Sequence, residues 1–149
     1  MRSRLVVALV ISAAVLYACG PRSHAAETPN RKNGTSGPLV ASSLDVAVGD
    51  QVEFVLHVTN KAQKRLELTF PSGQTYDVTV LDSLGREVWR WSEGRMFTQA
   101  LQNKVLEADE TMSVQAEWQP ATLKGSFVAV ASLRSENHPL ERRVPFSLP

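Results

Sequence analysis

From Leu39 to the C-terminus, apolar residues recur at every second position. That is the period of a strand with one buried face. Val52, Phe54, Leu56 and Val58 alternate with Gln51, Glu53, Val55, His57 and Thr59. Leu66, Leu68 and Phe70 repeat the pattern, as do Tyr76, Val78 and Val80, then Met112, Val114, Ala116 and Trp118. Phe127 to Leu133 and Val144 to Leu148 supply two more segments, and residues 39–48 a first one. Turn-forming residues separate them: Asn60-Lys61, Pro71-Ser72-Gly73, Asp82-Ser83-Leu84-Gly85, and Pro120 with Gly125. The short link at 82–85 predicts a hairpin between the Tyr76 and Trp89 strands. No segment carries a convincing helical stripe, and a single helical turn fits best at 97–102. Seven to eight short strands predict an all-β fold over residues 39–149, an immunoglobulin-like antiparallel β-sandwich.

Residues 87–99 read EVWRWSEGRMFTQ. In an extended strand Trp89 and Trp91 share one face, and Val88 and Arg90 take the other. Trp89, in mid-strand, is expected in the core. Trp91, nearer the strand end, either packs or forms with Phe97 a partly exposed aromatic patch of the kind interfaces favour. Arg90, on the outer face, either pairs there or is solvated.

The first residues lie outside this pattern. Arg2 and Arg4 precede fourteen apolar or small residues, Leu5 to Ala18. As a helix these would rise about 21 Å, short of a bilayer's hydrocarbon core of roughly 30 Å. A positive start and a short apolar run read as a signal peptide over 1–18. Leu16-Tyr17-Ala18-Cys19 resembles the lipobox of bacterial lipoproteins, which makes Cys19 the expected lipidated first residue and membrane anchor. Tyr17 departs from the small residue usual there. The alternative cut, after Ser23-His24-Ala25, releases a soluble secreted protein. Residues 19–38, rich in Gly, Pro, Ser and Asn, read as a flexible tether.

Two consequences follow. With one cysteine no disulfide can form within the chain, so packing alone must hold the domain. Loss of Arg2 and Arg4 leaves 14 basic against 15 acidic side chains. A net charge near zero offers no broad attraction for nucleic acid.

Catalytic chemistry finds little support. His24 falls in the tether, His57 faces outward on a strand, and His138 sits beside Pro139. The spacing pairs none of them with a nucleophile, and nucleophile-elbow, phosphate-loop and zinc patterns are missing. The expectation is no enzyme, no metal and no cofactor.

The stretch from Phe70 to Leu101 carries a longer pattern. A strand ends in Phe70-Pro71-Ser72-Gly73-Gln74; Tyr76-Asp77 follows, then the hairpin, Trp89-Arg90-Trp91-Ser92, Gly94 and Phe97-Thr98-Gln99. This resembles the BsuPI family, named for an intracellular proteinase inhibitor of bacilli, over about residues 44–135. The resemblance implies an immunoglobulin-like sandwich that inhibits subtilisin-type serine proteases. The namesake acts inside the cell, whereas this chain carries an export signal. The expected partner is therefore a secreted or surface protease. The alternative is an envelope-anchored binding or scaffold module with no protease target, since fold does not fix function.

An inhibitor presents a rigid loop that enters the protease as substrate does. Four connections could serve: 71–75, 82–86, 92–98 and 119–125. The third is preferred, because Met96 and Phe97, beside Gly94, Arg95 and Thr98, suit an apolar specificity pocket. The competing expectation is that Phe97 folds back over Trp91 and merely closes the sandwich. For the 71–75 turn, Pro and Gly are ordinary turn makers, and Ser72 and Gln74 can satisfy turn backbone groups.

Overall fold

A computed structural model describes residues 39–149. Cys19, the signal segment and the tether lie outside them. Nine strands occur among the described residues: β1 (Val40–Val48), β2 (Val52–Asn60), β3 (Leu66–Phe70), β4 (Tyr76–Asp82), β5 (Glu87–Arg90), β6 (Gln102–Leu106), β7 (Thr111–Trp118), β8 (Gly125–Leu133) and β9 (Leu140–Leu148). All their pairings are antiparallel. One sheet runs β1-β2-β7, a second runs β5-β4-β8-β9, and β3-β6 forms a two-stranded ribbon.

The alternation in β2 becomes the floor of the core: Val52, Phe54, Leu56 and Val58 are all buried, and the residues between them half-buried. Across from them stand Val78 and Val80 of β4, and Phe127, Ala129, Ala131 and Leu133 of β8. Aromatic rings join the two larger sheets. Phe54 lies 5.8 Å from Trp89 and 5.9 Å from Phe146, while Trp118 lies 6.0 Å from Trp89 and 5.9 Å from Phe127. These distances suit offset and edge-to-face aromatic packing. The result is an antiparallel β-sandwich, and Trp89, expected inside the core, is partly buried and packs against it.

Two expectations change, and one open alternative is decided. The helical turn expected at 97–102 is absent: residues 97–101 take no regular structure, and Gln102 opens β6. That ninth strand escapes a reading based on period, because Gln102, Asn103, Lys104 and Val105 are exposed and only Leu106 is buried. A strand on a polar edge shows no alternation. Arg90 is not simply solvated either; its partner is described below.

Asn60 does more than end a strand. Its side chain is fully buried. Its Nδ2 donates to the carbonyls of Lys64, Leu106 and Glu107, and its Oδ1 accepts from Ala62 N–H. One amide thus satisfies main-chain groups at the end of β6 and in the link before β3, where no ladder reaches them.

The link between β8 and β9 closes the other edge of β3. Glu136 N–H donates to Thr69 O, Asn137 Nδ2 to Glu67 O, and Thr69 N–H to Asn137 Oδ1.

Candidate functional site

The site begins with a buried carboxylate. Asp77 and Thr79 point to the same face of β4, and Thr79 stands opposite Arg90 of β5. Asp77 is therefore Arg90's diagonal neighbour, within reach of a long side chain. Only 3% of the Asp77 side chain is exposed, and Arg90 Nη1 donates to its Oδ2 at 2.9 Å. Ser92 Oγ donates to the same oxygen at 2.8 Å, and the N–H groups of Val78 and Ser92 donate to Oδ1. Glu87 holds the other side of the guanidinium. Hydrogen bonds from Glu87 first, then Asp77, push the Arg90 pKa above its already high range.

Beside this pair, the chain leaves β5 and turns. Gly94 adopts a left-handed φ of 72°, which side chains with a Cβ rarely take. Arg95 N–H closes the turn on Ser92 O at 3.1 Å. The returning segment then folds against Trp91. The Arg95 guanidinium carbon sits 4.5 Å from the Trp91 ring centre, and its Nε donates to Trp91 O at 2.8 Å. Phe97 lies 5.7 Å from the same ring. Tyr76 stacks on it at 4.2 Å and donates its hydroxyl to Gln115 O at 2.6 Å. Burial raises the Tyr76 phenol pKa, opposed by nearby Arg95 and reinforced by Asp77.

The far end of the segment is pinned too. Gly73 N–H donates to Thr98 O at 2.8 Å, and a Cβ on Gly73 would lie 2.6 Å from Thr98 Oγ1. Only glycine admits that approach. Between these braces, Met96 is 98% exposed.

The whole arrangement draws on residues 70–99, and the BsuPI family model, described as intracellular proteinase inhibitor, matches residues 40–138. The chain belongs to the BsuPI family. It is thus a domain of a proteinase-inhibitor family. No curated protein matches it. Among solved structures it is similar to a β-glucosidase of saponin metabolism from intestinal bacteria, at 15% identity and TM-score 0.42, over 74% of this chain and 16% of that one. It is similar also to the β-glucosidase EmGH1 of Erythrobacter marinus, at 17% identity and TM-score 0.38, over 72% of this chain and 16% of that one. The alkylpurine DNA glycosylase AlkC of Pseudomonas fluorescens gives 15% identity and TM-score 0.42, over 75% of this chain and 31% of that one. The chain spans about a sixth of the two glucosidases it matches. At such scores these likenesses carry no argument.

The BsuPI pattern now has a physical reading, residue by residue. Phe70 is core, and Trp89, partly buried, packs against the core. Ser72 Oγ accepts from Gln74 N–H inside the turn that Pro71 opens. Gly73 receives Thr98; Tyr76 and Trp91 form the stack; Asp77, Arg90 and Ser92 form the buried polar cluster. Gln99 Nε2 donates to Phe97 O at 3.2 Å. Most of the pattern therefore builds and braces one loop, Gly94 to Thr98. Phe97 does fold back on Trp91, as the packing alternative holds, and leaves Met96 as the residue presented.

The other connections differ. At 82–86 the Asp82 carboxylate accepts from Leu84 N–H, Arg86 N–H and Arg86 Nε. That makes a tight reverse turn, which presents exposed Leu84 but no extended segment.

Register also brings together what spacing did not. His57 faces Ser113 on β7, with Nδ1 2.7 Å from Ser113 Oγ and Nε2 3.1 Å from Asp45 Oδ2. The expectation that no histidine meets a hydroxyl is corrected here. The array is a cross-strand polar ladder, continued by Thr59 and Thr111 at 2.8 Å. Asp45 is 71% exposed, whereas acyl-transfer chemistry needs oxyanion donors in a site shielded from water.

Proposed function

We propose that this chain inhibits subtilisin-type serine proteases through Gly94–Thr98, with Met96 entering the specificity pocket. One observation carries the reading: Met96 is 98% exposed between two residues, Arg95 and Phe97, that rest on Trp91. A loop fixed before binding loses little entropy on binding. An unbranched thioether suits a deep, uncharged pocket. The signal segment and Cys19 support an exported lipoprotein at the cell envelope, with release after Ala25 as the other outcome. The protease is then a secreted or surface enzyme.

The test is titration of the purified chain against subtilisin and against proteases secreted by its own cells. Inhibition should appear at or below micromolar concentration. Met96→Ala should weaken it about tenfold or more, as loss of a pocket-filling side chain does, with an unaltered thermal midpoint because Met96 touches no core residue. If the wild-type chain inhibits nothing, the domain is a binding module without a protease target.

A further inference from the structure

We infer that Met96 is a modification site: oxidation of its thioether to the sulfoxide switches the inhibitory loop off. The inference rests on reading Gly94–Thr98 as the contact loop. Three methionines occur in the sequence, and Met1 lies outside the described residues. Met112 is buried in the core at 7% exposure, while Met96 stands at 98%. A peroxide dissolved in water therefore meets the Met96 sulfur freely and the Met112 sulfur only after the sandwich opens. Arg95 and Phe97, the neighbours that could shield it, are turned onto Trp91.

The step is a two-electron oxygen transfer. A sulfur lone pair attacks the outer oxygen of a hydroperoxide, the O–O bond breaks, and the sulfur–oxygen bond forms. The peroxide is reduced and leaves as water or an alcohol after proton transfer, and the thioether is oxidised. The product is a strong hydrogen-bond acceptor held by water. An apolar pocket offers it no donor, so inhibition should fall about ten- to a hundredfold. The free protein loses nothing, because the sulfoxide stays in solvent.

The full chain, before and after hydrogen peroxide, is titrated against subtilisin, with peptide mass mapping to locate the added oxygen. A methionine sulfoxide reductase then reverses it. The expected result is oxygen at Met96 and not Met112, a ten- to hundredfold loss of inhibition, an unaltered thermal midpoint and recovery after the reductase. Met96→Leu, whatever its starting potency, should keep that potency through peroxide. Equal inhibition by chain oxidised at Met96 overturns the switch and leaves the inhibitor reading standing. Peroxide loss in Met96→Leu also overturns the switch. Absence of inhibition by untreated chain overturns the inhibitor reading and the switch with it.

Discussion

Arg90 keeps Asp77 satisfied inside the sheet, and the two residues cannot be separated cheaply. Removing the guanidinium leaves a carboxylate at 3% exposure with Ser92 and two main-chain donors only. Arg90 is itself 38% exposed, so solvent supplies part of what is lost. Arg90→Ala should cost about 2 kcal/mol by chemical denaturation, in the range for charged hydrogen bonds. No measurable loss would show the cluster to be incidental. Tyr76 gives a second check. The chain has two tyrosines, and Tyr17 lies outside the described residues. In a Tyr17→Phe chain, near-ultraviolet absorbance therefore follows Tyr76 alone. Its folded-state pKa is raised, chiefly by burial, above the usual value of about 10. The stability linked to it is complete below about pH 10 and is lost as pH rises through the folded-state value. Titration at or below the ordinary phenol value would contradict the buried stack and the bond to Gln115.

The loop depends on two elements meeting, and one glycine decides whether they do. The turn after β3 and the segment after β5 touch where Gly73 meets Thr98. Gly73→Ala puts a methyl 2.6 Å from Thr98 Oγ1, so the segment must move. That variant should lose about 1–3 kcal/mol, as overpacking does, together with inhibition. Adding Thr98→Ala removes the clashing hydroxyl and should restore much of both. If the double variant is no better than the single, the contact does not position the loop. This contact also shows the limit of pattern. Pro71-Ser72-Gly73 is legible as a turn in sequence, but nothing local says that its glycine makes room for a residue 25 positions away. The strands β2 and β7 were legible because each buries alternate residues, β4 because Tyr76, Val78 and Val80 alternate in sequence although Asp77 and Thr79 are buried too, and β8 as an apolar run. Gln102–Leu106 was not, because it buries only one.

At the scale of the whole molecule, the domain holds its sheets together without a disulfide, by rings that cross the interface between β2, β5, β7, β8 and β9. If Cys19 carries lipid, Cys19→Ser should move the protein from the membrane to the soluble fraction, with protease inhibition by the purified chain unaltered. Unchanged fractionation would assign release after Ala25 or another means of retention.

The sequence by itself determined the class of fold, because period-two burial is local and survives without knowledge of partners. It also carried the family pattern. Only the tertiary structure decided which side chain the segment 92–98 presents. Arg95, Met96 and Phe97 are equally plausible in order along the chain, and their exposure depends on where Trp91 stands. It likewise decided that Arg90 is the partner of a buried carboxylate and that His57 meets Ser113. Those contacts join residues 13 and 56 positions apart, and strand register alone sets them.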